Sequence, residues 1–366
     1  MIKYIGSKRV LVPRIVATIQ ALPDVHTVLD LFSGTTRVSH ALKRSGFCVT
    51  ANDHNTYAYI LARCYVQADR TRVLADAERL IPELSAQPPS PGYFTETFCV
   101  RSRFFHPKNG ARIDAIRERI AQLSLDPDLE AVLLTSLMEA ADRVDSTTGL
   151  QMAYLKEWAP RAHNDLELRM PNVLDGPGTA LQSDAVDAAR AVAADLAYVD
   201  PPYNQHSYMG NYHIWETLVR WDKPEAYGIA CKRIQCREYR SDFNSKVRIH
   251  SALRDVIASL QAKYLLVSFN NEGHVTREEM EGLLQSRGHV RVIEVDFKRY
   301  VGAQIGIYNP NGEKVGKVSH LRNKEFLYLV SQDDVVLKRA AANGAAPSGQ
   351  LGLFGEESSR RTIYAK

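Results

Sequence analysis

Several things that would point this chain towards a membrane, an oxidising compartment or a metal site are missing from it. Its 366 residues hold five cysteines, Cys48, Cys64, Cys99, Cys231 and Cys236. They are scattered, odd in number and without the paired spacing of a zinc site, so they read as structural or free thiols in a reducing compartment. No metal is expected. No apolar run reaches the roughly 18 residues of a membrane span, and the opening MIKYIGSKRV lacks a signal peptide's apolar centre. The expectation is a cytoplasmic protein with no membrane partner. Charge of one sign is also missing. A net charge of +4 permits a polyanionic partner without arguing for one, because the total hides where the charges sit. With 45% apolar and 24% charged residues and no internal repeat, the chain is of ordinary globular type and long enough for two lobes.

Among the features present, the most informative is Asp195-Leu196-Ala197-Tyr198-Val199-Asp200-Pro201-Pro202-Tyr203. It reads as a short buried strand running into two prolines flanked by an acid and an aromatic ring. Proline lacks an amide hydrogen and pushes its predecessor into an extended conformation, so the strand ends at Asp200 and the exit loop is stiff. The C-terminal edge of a strand is where open α/β sheets bind their ligands. There Asp200 and Tyr203 can face one small planar group, although an ordinary strand-ending turn with an exposed acid gives the same pattern.

Other strand ends repeat the theme. Thr27 to Leu31 is an apolar strand ending in Asp30 and the loop Phe32-Ser33-Gly34-Thr35-Thr36, and Val38, Ala41 and Leu42 then give helical spacing up to Ser45-Gly46. A second strand, Phe47 to Asn52, ends in Asp53. This acid falls about twenty residues after the loop, as ribose binding in nucleotide folds requires. The loop has one glycine, Gly34, in place of the dinucleotide fingerprint's three, which favours a nucleoside without phosphates. A third strand, Thr179 to Ser183, ends in Asp184 ahead of a short helix over residues 185–194. At the start, Tyr4-Ile5-Gly6-Ser7-Lys8 feeds a helix; it is a place for an anion or carboxylate, or a plain helix-start turn.

Residues 54–175 are largely helical in pattern, with Pro88-Pro89-Ser90-Pro91-Gly92 as a break. Within them Arg101, Arg103, Lys108 and Arg112 surround Phe104, Phe105 and His106. This suits a nucleic-acid surface, or equally a solvated basic turn over an aromatic cluster. Tyr208, Tyr212 and Trp215, at helical spacing, read as core or as a cofactor wall. Residues 232–248 concentrate Lys232, Arg233, Arg237 and Arg240. Further strands are expected at Tyr264 to Phe269, Val290 to Val295 and Phe326 to Val330, with a basic loop over 298–324 that includes Lys298 and Arg299. From about residue 336 the chain lacks periodicity and reads as a disordered tail.

Taken together, Lys3-Tyr4-Ile5-Gly6-Ser7-Lys8, Asp30-Leu31-Phe32-Ser33-Gly34, Asp53, Ser183-Asp184 and Asp200-Pro201-Pro202-Tyr203 resemble, in order and spacing, the Dam-like, alpha-class adenine-specific DNA methyltransferases. The resemblance covers residues 1–60 and about 178–330. It implies an α/β fold, a Rossmann-like, mostly parallel seven-stranded sheet with helices on both faces, whose last hairpin breaks the parallel run. The catalytic domain would comprise 1–59 and 178–335, the inserted helical target-recognition domain 60–177, and the tail 336–366. The cofactor implied is S-adenosylmethionine. Tyr4 and Lys8 would border its methionine end, the Asp30, Phe32, Ser33, Gly34 loop would wrap it, Asp53 would bind the ribose and Asp184 the adenine amine. One departure is that Thr35 and Thr36 follow Gly34 where many members of that class carry a second glycine.

The implied reaction is transfer of a methyl group to the N6 amine of an adenine flipped out of double-stranded DNA. Asp200 and the Pro201 carbonyl would accept hydrogen bonds from that amine, Pro202 would hold the loop still, and Tyr203 would stack on the base. The basic segments would carry phosphates. Implied too are a monomer, a bacterial cytoplasmic setting at the nucleoid and a companion restriction endonuclease acting on the same site. RNA in place of DNA, or a catalytically silent nucleic-acid-binding scaffold, remain alternatives; the intact acid and ring at 200 and 203 argue against silence.

Overall fold

The computed structural model describes residues 1–205, 207–298 and 322–345. Seven strands form one sheet: β1 (Thr27–Asp30), β2 (Cys48–Asn52), β3 (Gly178–Leu181), β4 (Ala193–Val199), β5 (Gln261–Asn270), β6 (His289–Lys298) and β7 (Arg322–Ser331). Their order across the sheet is β3-β2-β1-β4-β5-β7-β6. β1 to β5 pair in parallel, whereas β7 runs antiparallel between β5 and β6. This is the broken parallel run that the resemblance implied. The order reverses between β1 and β4, and a crevice opens there at the strands' C-terminal ends.

Because side chains alternate along a strand, the sheet buries two different sets of residues. Val28, Leu196, Tyr198, Leu266, Leu327 and Leu329 face one core; Leu29, Ala197, Val199, Val267, Tyr328 and Val330 face the other. On the first face lie α1 (Val12–Gln20) and α2 (Arg37–Arg44). The second is covered by helices drawn from Ala185–Ala191, Ile249–Ser259 and Arg277–Leu284. Period two also decides where the acids point. Asp30 follows Val28, Asp200 follows Tyr198 and Glu325 precedes Leu327 by two positions each, so all three project on the α1 side at one end of the sheet.

A third core is helical and includes Tyr57, Leu61, Leu80, Phe94, Phe98, Ile113, Leu133 and Leu137. It also takes in Tyr212, Ile214, Trp215 and Leu218, so it extends past residues 60–177 and ties the segment after Asp200 to the inserted helices. Phe104 and Phe105 are 0% and 1% exposed within it. They are core residues and not surface rings, which decides against accessible aromatics between the cations and for the other reading, a basic turn over a buried aromatic cluster. Tyr212 and Trp215 are likewise core.

A second correction concerns the disordered tail expected from residue 336. Residues Asp334–Ala345 form a helix, α3, that packs on α1 and the sheet, with Leu337 and Ala340 fully buried in the first core. The missing signal was periodicity: its buried face is mostly alanine and glycine, and Gly344 fits against Thr18 so closely that an added Cβ would fall 2.0 Å from its hydroxyl. The rest of the expected tail, 346–366, lies outside the described residues. Leu337→Ala should therefore destabilise the protein by about 2–5 kcal/mol, the range for truncating a buried leucine, measured by denaturant unfolding. An unstructured tail would give no change.

Candidate active site

The end of each central strand delivers polar groups to one cleft of about 390 Å³. The strand ends are fastened together by Asn52, which is 1% exposed. Its amide donates to the Leu31 and Ser183 carbonyls at 3.1 and 3.3 Å, and its oxygen accepts from the Ser183 amide at 3.1 Å. Its role was not legible in the sequence, where it is one more polar residue at a strand's end.

Of the residues singled out for a cofactor, Tyr4, Lys8, Asp30, Phe32, Ser33, Gly34, Asp53 and Asp184 all line this cleft, together with Asp200 and Pro202. Asp53 accepts from the Gly34 amide at 2.9 Å and from the Asn55 amide at 2.9 Å, which ties the loop after β1 to the end of β2. Burial raises its pKa. Asp184 is exposed at the rim and caps the helix that follows it, accepting from the Val186 amide at 2.9 Å. Gly34 is left-handed, φ 51°, with the Tyr4 ring over it: an added Cβ would lie 3.3 Å from that ring. Thr36 is left-handed too, φ 57°. The position where a second glycine was expected nearby thus keeps a glycine-like backbone in a threonine, a strain of roughly 1–2 kcal/mol.

Four residues that line the cleft carry a buried polar atom with no hydrogen-bond partner among the described residues: Asp30 Oδ1, Ser33 Oγ, Arg37 Nε and the Tyr198 hydroxyl. The other Asp30 oxygen accepts from Ser39 Oγ. Buried polar groups are seldom left unpaired, so an acceptor and a hydroxyl aimed into a cleft fit a ligand bearing donors. Burial pushes the Asp30 carboxyl up to about 7, against the Ser39 hydrogen bond and helped by the negative charge of Asp200.

Aromatic rings form the walls. Tyr4, Tyr208 and Tyr212 pack as three near-parallel rings at the corners of a triangle, Tyr4 lying 5.2 and 4.5 Å from the other two, which are 6.4 Å apart. Phe32 meets Phe243 edge-on at 5.1 Å, and His54 stacks on Tyr239 at 4.4 Å. Tyr208, read from sequence as core or as a cofactor wall, lines the cleft, and so do Tyr239 and Phe243 from the segment read as DNA surface. Tyr203 is 9% exposed and packs against Phe269, and its hydroxyl and that of Tyr208 lie over Gly6.

The turn Tyr4 to Lys8 does receive carboxylates, and they are the protein's own. Lys8 Nζ lies 3.0 Å from Asp200 Oδ1 and also donates to Glu325 Oε1. Its side chain is 7% exposed, that of Asp200 18% and that of Glu325 7%. Burial disfavours the Lys8 charge, but the two carboxylates outweigh it and hold its pKa well above the ordinary lysine value. Burial raises Asp200 to about 6, with Lys8 opposing and Glu325 adding to the rise. Lys8 is therefore engaged on the Asp200 side of the cleft, not at the far end with Asp53 and Asp184.

The expected DNA-contacting cations divide. Arg233 is 1% exposed and bonds Asp222, Thr217 and Gln235 inside the protein, so it is corrected to a structural residue. Arg112 donates to the Ser85 carbonyl. Lys108 pairs with the exposed Asp165 at 2.9 Å, Arg103 lies over Trp158 and Arg237 over Tyr227. Arg101 and Arg240 are exposed, Lys232 is half-buried, and Arg240 also borders the cleft. Lys298 ends β6; Arg299 lies outside the described residues. No helix among the described residues is long and apolar enough to cross a membrane.

Comparison with known proteins agrees with this geometry. Residues 4–283 match the family model described as D12 class N6 adenine-specific DNA methyltransferase. Modification methylase StsI of Streptococcus sanguinis is 27% identical over 88% of this chain and 52% of its own length. Type II methyltransferase M.NlaIII of Neisseria lactamica is 28% identical over 82% and 88%. Type II methyltransferase M.FokI of Planomicrobium okeanokoites is 30% identical over 81% and 49%. The chain thus spans about half the length of StsI and M.FokI.

The raised Asp30 carboxyl has a stability consequence. A folded pKa near 7 against 3.8 for the unfolded chain means the folded state binds the extra proton between those values, so this group's contribution falls as pH rises from about 4 through about 7. Asp30→Asn keeps the acceptor for Ser39 without the charge. Its melting temperature should fall less than the wild type's between pH 5 and pH 8, by several degrees in a thermal scan at both values.

Proposed function

The chain belongs to the D12 class of N6 adenine-specific DNA methyltransferases, and from that premise we propose that its cleft methylates the N6 amine of an adenine flipped out of double-stranded DNA. The observation that carries this is a carboxylate, Asp200, fixed at the end of β4 beside Lys8 and followed by two prolines, in the same cleft as Asp30, Asp53 and Asp184. S-adenosylmethionine supplies an electrophilic methyl group on a cationic sulfonium. Asp53 holds the ribose hydroxyls and Asp184 the adenine amine. Asp30 and Ser33, with their unpaired oxygens, receive the polar end that Tyr4 borders.

On the target side, the adenine amine is a weak nucleophile because its lone pair is conjugated with the ring. Hydrogen bonds accepted by Asp200 and by the Pro201 carbonyl favour a more tetrahedral nitrogen and aim its lone pair. The prolines hold both acceptors still, so little reorganisation is needed at the moment of reaction. Asp200 need not take a proton before the new bond forms, since the amine becomes acidic only once methylated. Tyr203 and Tyr208 give the base aromatic surfaces to lie against, a flipped base costing a few kcal/mol to unstack. Arg101, Arg103, Lys108, Lys232, Arg237, Arg240 and the segment from Lys298 are the candidates for phosphate contacts. The relatives' names, a modification methylase and Type II methyltransferases, support a role beside a companion endonuclease acting on the same site; a monomer in the cytoplasm is part of the same proposal.

The test is incubation with methyl-labelled S-adenosylmethionine and plasmid DNA or structured RNA, followed by nucleoside mass spectrometry. N6-methyladenine should appear in DNA; label in RNA alone would move the assignment to RNA, and label in neither would reject it. Asp200→Ala should lose roughly 10²-fold or more in turnover, as for removal of a preorganised electrostatic group, with cofactor affinity nearly unchanged by calorimetry. Asp53→Ala should weaken cofactor binding by about 1–3 kcal/mol, the cost of a lost charged hydrogen-bond partner.

A further inference from the structure

Glu325 belongs to none of the motifs above. It sits on β7, the reversed strand, paired with Asn270 of β5 in register. Its residue is 5% exposed and Ser268, its other partner, is 0% exposed. Glu325 Oε1 accepts from Lys8 Nζ and, at 2.9 Å, from Ser268 Oγ. Lys8 Nζ in turn stands 3.0 Å from Asp200 Oδ1. The result is a buried chain, Ser268 to Glu325 to Lys8 to Asp200, in which one ammonium is shared between two carboxylates and the cluster carries a net charge of about −1.

A structural ion pair needs only one carboxylate for one ammonium. A second buried carboxylate is a cost unless something offsets it, because each desolvated ion is worth several kcal/mol. Here the excess negative charge lies at the Asp200 end of a cleft proposed to receive a cationic methyl donor. Building on the methyltransferase assignment, we propose that Glu325 is a positioning residue: it draws the Lys8 ammonium partly away from Asp200, leaving the Asp200 carboxylate oriented but under-neutralised, and therefore a strong acceptor for the substrate amine.

The surroundings support this division. Around Asp200 stand Lys8 from the N-terminal turn, Glu325 from β7, Asp30 from β1, Tyr198 and Tyr203 from its own strand and loop, and Tyr208 from the helix after it. Lys8 is the one cation in that set. Burial raises Asp200 to about 6 despite Lys8, and Glu325 adds to the rise. Removing each neighbour therefore moves Asp200 in an opposite sense. Without the Lys8 charge its pKa rises further. Without the Glu325 charge it falls, because repulsion disappears and Lys8 is released to bond Asp200 alone.

The test reads Asp200 directly. In protein labelled with ¹³C at aspartate carboxyls, the Asp200 resonance is identified by its loss in Asp200→Asn and titrated in the wild type, Glu325→Gln, Glu325→Asp and Lys8→Met. The wild-type midpoint is expected near 6, lower in Glu325→Gln, higher in Lys8→Met and close to wild type in Glu325→Asp. In methyl-transfer assays the acid limb of kcat should move with these midpoints. Glu325→Gln should lose about tenfold or more in kcat, the scale of one charge-assisted hydrogen bond, with a small change in KM for the cofactor, and Glu325→Asp should recover part of the loss. A Glu325→Gln midpoint equal to the wild type's overturns the proposal, whatever its effect on melting temperature. Absence of methyl transfer by the wild type would reject the methyltransferase assignment separately, since the carboxyl titration needs no turnover.

Discussion

The arrangement of this protein depends on a single buried ammonium held between two carboxylates. Lys8 comes from a turn before the first helix, Asp200 from the end of the central strand and Glu325 from the reversed strand near the other end of the described chain. Charges buried to this extent are tolerated only when paired and closely packed. The pairing therefore fixes three otherwise distant segments against one another. The sheet order serves the same end, because with β7 inserted antiparallel beside β5, Glu325 enters the C-terminal edge from the opposite chain direction and arrives level with Asn270.

The cleft separates two kinds of acid by environment. Asp53 and Asp184 accept backbone amides and organise loops, Asp184 at the exposed rim and Asp53 deeper, where burial raises its carboxyl too. Asp30 and Asp200 are buried and raised towards neutrality. Groups of one chemistry, placed by period two on one face of a sheet, thus sit in different electrostatic settings according to how much water and how many amides surround them. Aromatic stacking does the remaining positioning. The packed rings of Tyr4, Tyr208 and Tyr212 link the turn that carries Lys8 to the helical core, so the charge cluster is braced from the sheet and from that core.

Much of this was legible in the sequence because the signals were local. An apolar run ending in an acid, repeated at Asp30, Asp53, Asp184 and Asp200, defines strand ends, and proline explains why β4 stops. Where the sequence misled, the deciding contacts were tertiary. Arg233 looks like any surface arginine until Asp222 and Thr217 are folded around it. Phe104 and Phe105 stand among cations in the chain yet among apolar rings in space. The helix Asp334–Ala345 hides behind small residues whose value lies in close approach to α1. Glu325 and Asn52 had no signal at all, being single polar residues whose partners lie up to 317 positions away.

That separation has a consequence for how the protein comes into being. The strands and loops that hold Asp30, Asp53, Asp184 and Asp200 are all present once the first two hundred residues have been made, but β7 is not. Contacts this distant in sequence are among the last to form, since their loop-closure entropy must be met first. In a growing polypeptide the residues of the cleft walls are therefore made before Glu325 is, and until Glu325 docks, the lysine has a single carboxylate to satisfy. Synthesis itself sets the order in which the cluster can mature, with its electrostatic balance reached only when the reversed strand slides into place.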